Sequence, residues 1–147
     1  MKILITEDDL MLADFLEEAV AELGHTVCGM AGSVGEAVAL TRSHHPDVAI
    51  IDMQLVGTER GSDIVDQLVA SGDLGRMGIL YVTGEADLAH REARFGHACL
   101  KKPSSLHTLE AALAIVRDIA VGCHFSDPLP HGMRLLLAAQ MNAAHVD

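Results

Sequence analysis

The chain has 147 residues, of which 50% are hydrophobic and only 3% aromatic, and its formal net charge is −11. This length suits one compact domain, and the apolar content is sufficient for a substantial core. The negative charge argues against binding to nucleic-acid phosphates or to an anionic membrane surface, because both need a basic patch on the protein.

Short apolar runs alternate with helical patterns along residues 1–121. Strands are predicted at 2–6, 26–31, 47–52, 79–83 and 97–101. Helices are predicted between and after them, over 12–23, from the Ser33/Glu36 capping box to about His45, around 64–69, over 85–94, and from Ser104 or Ser105 to Ala120. Five strand-then-helix units predict an α/β fold with a parallel sheet and helices on both faces.

Residues 122–147 do not belong to this repeat, so we predict a domain at 1–121 and a C-terminal helical extension at 122–147. Gly122 is expected to end the fifth helix, and Pro128 and Pro130 indicate a turn. A sixth helix is predicted from a mostly apolar stripe at helical spacing, which consists of Met133, Leu136, Leu137, Gln140, Met141 and Ala144. This helix could cover its own domain or serve in dimerisation or partner docking.

Polar residues that can carry chemistry follow four of the predicted strands. They are Glu7, Asp8 and Asp9 after the first strand, Asp52 at the end of the third, Thr83 at the end of the fourth, and Lys102 after the fifth. Ligands of parallel sheets bind at the carboxyl ends of the strands, so these residues mark the expected site. Asp9 has a simpler explanation, since an acidic residue is favoured at the start of a helix.

Clustered carboxylates repel one another, and a hard divalent cation such as Mg²⁺ relieves that repulsion through oxygen ligands. Asp52 is a plausible nucleophile, because carboxylates can form acyl phosphates. A lysine and a threonine hydroxyl can contact the remaining phosphoryl oxygens. Phosphoryl transfer depends mainly on positioning and on charge neutralisation, and this set of residues supplies both.

Four segments, ILITEDD (3–9), DVAIID (47–52), YVTG (81–84) and LKKP (100–103), resemble in sequence and order the response-regulator receiver domain of two-component signalling. The resemblance covers roughly residues 1–121. It implies the CheY-like, flavodoxin-like three-layer fold, with a five-stranded parallel sheet in the order 2-1-3-4-5.

The resemblance also implies a role for each site residue. Asp52 matches the phosphoacceptor, Thr83 the switch hydroxyl and Lys102 the phosphate-contacting lysine. The metal ligands, for Mg²⁺ or another divalent cation such as Mn²⁺, would be Glu7, Asp8, Asp52 and the backbone carbonyl of Gln54.

The sequence departs from the family pattern at three points. Val56 stands where a proline is usual, four residues past the acceptor, and Cys99 replaces the aromatic switch residue. Only 19 positions separate Thr83 from Lys102, which is short for this family. These departures leave the phosphoryl chemistry intact but remove the partner of the usual Thr-to-aromatic relay. Cys99 is expected to act as a small buried hydrophobe.

The function implied is a signalling switch rather than a classical enzyme, although the domain could promote its own phosphorylation and dephosphorylation. A sensor histidine kinase or a histidine phosphotransfer protein would donate the phosphoryl group, and a downstream protein partner would read the result. A homodimer could form through the C-terminal extension or through the face of the fourth helix, fifth strand and fifth helix.

Two alternatives stay open. One is a receiver-like protein-binding module that is not phosphorylated. The other is a flavodoxin-like or phosphatase-like enzyme, against which Gln54 stands where a second catalytic acid would be needed.

The three cysteines, Cys28, Cys99 and Cys123, predict neither a disulfide framework nor a zinc site, because their number is odd and their spacing fits neither. Residues 1–6 lack the pattern of a secretory signal peptide, and no apolar stretch reaches membrane-spanning length. We therefore expect a cytoplasmic protein.

Overall fold

The computed structural model describes residues 1–84, 89, 91–102, 104–125 and 128–136. The strands are β1 (Lys2–Thr6), β2 (Thr26–Ala31), β3 (Val48–Asp52), β4 (Gly78–Thr83), β5 (Ala98–Lys101) and β6 (Met133–Leu135). The helices are α1 (Leu10–Glu22), α2 (Val34–His44), α3 (Gly61–Ser71) and α4 (Leu106–Ala120), the last being the fifth predicted helix.

One sheet contains all six strands in the order β2-β1-β3-β4-β5-β6. The first five strands in this order are parallel, as the apolar runs and the strand-then-helix alternation predict. This confirms the predicted flavodoxin-like fold and the order 2-1-3-4-5. Among the described residues, no helix combines the length and apolar character that crossing a bilayer requires.

The sheet has an apolar layer on each face, because successive strand residues point to opposite sides. Leu4, Ile51 and Tyr81 are buried against α2 and α3. Ile5 and Leu80 are buried in the other layer, against α1 and α4. Both faces of β3 and β4 are therefore covered, which explains why these strands read as nearly continuous apolar runs.

Polar side chains set where three helices begin, as the sequence indicates. Asp9 caps α1 by accepting hydrogen bonds from the backbone N–H groups of Met11 and Leu12. Ser33 caps α2 through the N–H of Glu36. For α4 the cap is Ser105 rather than Ser104.

The predicted helix over 85–94 is only partly described. Ala89, Arg91 and Glu92 have helical conformation, whereas residues 85–88 and 90 lie outside the described part of the chain.

The prediction of a sixth helix is wrong where the structure describes it. Met133–Leu135 form β6, which pairs antiparallel with β5 and adds a sixth strand to the five expected. Met133 is buried in the layer of α1 and α4, whereas Leu136 is buried in the opposite layer. The pairing satisfies the backbone groups of β5 that an edge strand would leave exposed. Residues 137–147, with the rest of the predicted helix, lie outside the described part.

Candidate functional site

The site lies at the carboxyl edge of the sheet, where β1, β3, β4 and β5 end side by side. Thr6 pairs with Ile51 across β1 and β3, and Thr83 pairs with Lys101 across β4 and β5. Because the strands are parallel and in register, the residues that follow them converge.

Three acidic side chains form a carboxylate group at this edge. Glu7, Asp8 and Asp52 each offer an oxygen, and these oxygens lie within 4.8 Å of one another. The Glu7 side chain is 3% exposed and that of Asp52 is 12% exposed, whereas Asp8 is open to solvent. This all-oxygen set with one open side fits a hard divalent cation that keeps several of its waters.

Lys102 reaches into the carboxylate group from the end of β5. Its Nζ lies 3.1 Å from Glu7 Oε2 and 3.1 Å from Asp52 Oδ2. Its backbone N–H donates to the Thr83 carbonyl at 2.8 Å, which fixes the start of the loop after β5. Burial lowers the pKa of the Lys102 ammonium, but the charges and hydrogen bonds of Asp52 and Glu7 outweigh this and raise that pKa overall.

Glu7 is the most perturbed carboxyl of the group. Burial and the neighbouring Asp52 carboxylate raise the pKa of Glu7 to about 7, although Lys102 acts in the opposite direction. Near neutral pH Glu7 is therefore partly protonated, and a bound cation would displace that proton. Burial first and the Asp52 carboxylate second thus disfavour the charged form of Glu7, and a divalent cation would favour it.

The other predicted site residues lie close to this group or flank it. Thr83 is buried at the end of β4. Gln54 is exposed, and its backbone N–H donates to Asp52 Oδ1 at 3.0 Å, so one Asp52 oxygen is oriented by its own loop. Asp9 serves the start of α1, as predicted, although its backbone N–H also donates to Glu7 Oε1 at 3.3 Å.

Cys99 is fully buried on β5, facing the α2 and α3 layer, which agrees with its expected role as a small hydrophobe. Its partner across the sheet is Tyr81, whose hydroxyl donates to the Phe95 carbonyl at 2.8 Å. The aromatic ring in this part of the sheet therefore belongs to β4.

Sequence reasoning missed the residues that shape the loop after Asp52. Gly61 begins α3 so close to β3 that a Cβ there would overlap the Asp52 carbonyl oxygen, and only glycine fits. Glu59 and Arg60, just before it, hold the loop through their side chains. A glycine directly before the apolar stripe of α3 was the available signal for the close approach. No local pattern marked Glu59.

Comparison with known proteins agrees with this geometry. Residues 3–114 match the family described as response regulator receiver domain. The transcriptional regulatory protein PdtaR of Mycobacterium tuberculosis is 31% identical over 115 residues, which cover 78% of this chain and 55% of that protein. The phyllosphere-induced regulator PhyR of Methylorubrum extorquens is 39% identical over 69 residues, which cover 46% of this chain and 26% of that protein. The chain thus spans about half or less of the length of these relatives.

Among solved structures, the signal receiver domain of a modulated diguanylate cyclase from Desulfovibrio desulfuricans G20 superposes with a TM-score of 0.68. The two are 27% identical, and the match covers 82% of this chain and 95% of that one. Receiver domains act in signalling as phosphoacceptors rather than as classical enzymes. The sheet, its acidic edge and the family match lead to one conclusion: the chain belongs to the response regulator receiver domain family of two-component signalling.

Proposed function

We propose that this receiver accepts a phosphoryl group on Asp52 with the help of Mg²⁺ or a similar divalent cation. The observation that carries the proposal is the position of Lys102 Nζ, 3.1 Å from Asp52 Oδ2 and 3.1 Å from Glu7 Oε2. A lysine brought from a distant strand among partly buried carboxylates forms a cluster of perturbed charges, and such clusters are concentrated at functional sites.

In the proposed reaction an Asp52 carboxylate oxygen attacks the phosphorus of a phosphohistidine. The new O–P bond forms as the N–P bond breaks, and the electron pair returns to the imidazole nitrogen, which takes up a proton. The Lys102 ammonium then leaves the carboxylates and binds the negatively charged phosphoryl oxygens. A cation held by Glu7, Asp8, Asp52 and the Gln54 carbonyl would neutralise charge on those oxygens.

Two residues complete the proposed site. The Thr83 hydroxyl would contact the phosphoryl group. The hydrogen bond from Lys102 N–H to the Thr83 carbonyl would hold the backbones of the two residues at a fixed distance. Gln54 exposes its side chain beside Asp52, where it could govern access of water to the acyl phosphate. Self-promoted phosphorylation and dephosphorylation belong to this proposal.

The proposed partners are a sensor histidine kinase or a histidine phosphotransfer protein on the input side and a protein on the output side. The segment 133–136 packs on its own β5, so any homodimer through the C-terminal extension would have to use other residues or displace it. A size measurement with and without residues 137–147, which leaves β6 in place, tests the dimer.

The deciding experiment is incubation with acetyl phosphate and Mg²⁺ followed by intact-mass measurement. We expect one phosphoryl-sized gain that disappears in Asp52→Asn and when Mg²⁺ is omitted. Absence of the gain with small donors and with histidine kinases would favour a receiver-like binding module that is not phosphorylated. Phosphorylation of Asp52→Asn to the wild-type extent would place the acceptor elsewhere.

A further inference from the structure

The loop between Asp52 and α3 is a small hairpin, which we call the acceptor hairpin (residues 54–60). Gln54 and Arg60 form an antiparallel bridge at its base. The Leu55 N–H donates to the Glu59 carbonyl at 3.1 Å, and the Glu59 N–H donates to the Val56 carbonyl at 3.2 Å, which closes the turn. Gly57, with φ of 64°, supplies the left-handed residue in the turn.

The tip of this hairpin has little to hold it in place by packing. Val56 is 59% exposed, and Gly57 and Thr58 are exposed as well. A proline at Val56 would have fixed one backbone dihedral of the tip, but valine does not. Of the two hydrophobic residues of the hairpin, Leu55 is buried and Val56 is exposed.

Two side chains of the hairpin make the missing connections, one to each side. Glu59 Oε1 accepts a hydrogen bond from the Val34 N–H at 3.0 Å, at the first turn of α2. Arg60 Nη1 lies 2.6 Å from Glu92 Oε2, in the segment after β4. The first contact is partly buried, whereas the second lies on the surface, where ion pairs contribute little.

We infer that Glu59 is a positioning residue of the phosphorylation site, which fixes the acceptor hairpin against the start of α2. This inference rests on the proposed function, since its purpose is to hold the Gln54 carbonyl and the oriented Asp52 carboxylate in the geometry that the cation requires. The Glu59 carboxylate itself is engaged by α2 and does not belong to the Glu7, Asp8 and Asp52 carboxylate group.

The first test compares Glu59→Ala with Glu59→Gln in the full chain, with Mg²⁺ affinity measured by calorimetry and phosphorylation rate by intact mass. Alanine removes the acceptor, and we expect roughly tenfold weaker Mg²⁺ binding and a similarly slower reaction. Glutamine keeps an acceptor oxygen without the charge, so it should stay within about twofold of wild type. Glu36→Gln is the matched control, because Glu36 is an exposed acid that lines the same cleft, and glutamine removes its charge while keeping an acceptor oxygen for Ser33 at the start of α2.

The second test removes the other partner of the same hydrogen bond. Val34→Pro deletes the N–H donor at the first helical position, where proline is tolerated, and Ser33 before it is already extended. We expect weaker Mg²⁺ binding in Val34→Pro, and no further loss when Glu59→Ala is added to it. Non-additivity of this kind is the signature of a shared contact. This variant also serves if Glu59→Ala fails to fold.

The outcomes separate the inference from the function on which it rests. Wild-type Mg²⁺ affinity and rate in Glu59→Ala, or full additivity with Val34→Pro, would overturn the positioning role. An equal loss in Glu36→Gln would assign the effect to charge and also overturn it. If the wild-type protein binds Mg²⁺ but accepts no phosphoryl group, the proposed function is wrong. The Mg²⁺ affinities of the Glu59 variants would still test the positioning role. Wild type without Mg²⁺ binding would overturn both.

Discussion

The carboxyl end of β5 and its outer edge have different roles in the molecule. At its carboxyl end, β5 delivers Lys102 to carboxylates at the ends of β1 and β3, and the Lys102 side chain makes ion pairs there. Along its outer edge, β5 is covered by β6 through backbone pairing and through the buried side chains of Met133 and Leu136. The first region is the proposed site of phosphorylation, and the second closes the sheet.

The backbone joins these regions directly. The Lys101 N–H donates to the Gly132 carbonyl at 3.0 Å, and the next N–H, of Lys102, donates to the Thr83 carbonyl at 2.8 Å. Lys101, the last residue of β5, and Lys102, directly after it, thus connect the C-terminal segment and the site. Each region can be disrupted separately, the edge by truncation and the site by substitution, and this tests the comparison.

Truncation after Val121 should give the largest effect. It removes β6 and uncovers the edge of β5, and loss of the burial of Met133 and Leu136 alone should cost about 3–6 kcal/mol. Urea unfolding followed by circular dichroism measures this loss in the free energy of unfolding.

Truncation after Leu136 is the matched control, since it keeps β6 and should retain most of the stability. Equal stability of the two truncated chains would show that β6 contributes nothing to the domain. It would also support the predicted domain boundary at residue 121.

Replacement of Lys102 by alanine should give the next largest effect, and it acts on the site alone. Glu7 and Asp52 would then face each other without a cation, and we expect a loss of about 1–3 kcal/mol at pH 8 without Mg²⁺, reduced because Lys102 is partly exposed. Added Mg²⁺ should restore part of the loss. Lys101→Ala is the control, because this exposed neighbour lies outside the carboxylate group. Similar losses in both variants would contradict a specific role for Lys102.

The pH dependence of metal-free stability should report on Glu7. Its pKa is about 7 in the folded protein against 4.5 as the ordinary value, so the folded state binds the proton more tightly. The contribution of the Glu7 proton to the free energy of unfolding is therefore fully present below about pH 4.5. We expect about 1–3 kcal/mol of it to be lost as the pH rises to 7. Glu7→Gln should flatten this part of the curve. A wild-type curve that is already flat between these pH values would contradict the raised pKa.

Mg²⁺ affinity should move in the opposite direction with pH. Because Glu7 must lose its proton to act as a ligand, binding should tighten as the pH rises through about 7. Calorimetric titration of wild type at pH 6 and pH 8 measures this. Equal Mg²⁺ affinity at pH 6 and pH 8 would show that Glu7 is not a ligand of the cation.

The residues of the site could be predicted from the sequence, whereas the edge strand β6 could not. Glu7 and Asp52 each stand at the end of a strong apolar run and Lys102 follows a shorter one, so the run that predicts the strand also places the polar residue at its end. The fold and the convergence of these residues were therefore predictable. The strand β6 was not, because its three residues are too few to show a period of two. Met133 and Leu136 also happen to fall at helical spacing, although they lie in opposite layers of the core.

The acceptor hairpin was beyond sequence reasoning for another reason. Its contact from Glu59 to the Val34 N–H joins residues 25 positions apart through one side chain and one backbone group. No periodicity or spacing records such a contact, and its presence depends on how α2 and the loop meet after the sheet has formed.

The smallest expected effect distinguishes two neighbouring acids at the start of the site. Asp9→Ala removes the cap of α1 and should lower the free energy of unfolding by about 1 kcal/mol while leaving Mg²⁺ affinity within about twofold of wild type. Asp8→Asn should do the reverse, since Asp8 is exposed and lies in the carboxylate group, so its loss weakens Mg²⁺ binding with little change in stability. Calorimetry and urea unfolding on both variants measure the two effects. If Asp9→Ala weakened Mg²⁺ binding as strongly as Asp8→Asn, the cap and the metal site would be one unit. The hydrogen bond from Asp9 N–H to Glu7 Oε1 would then be the connection between them.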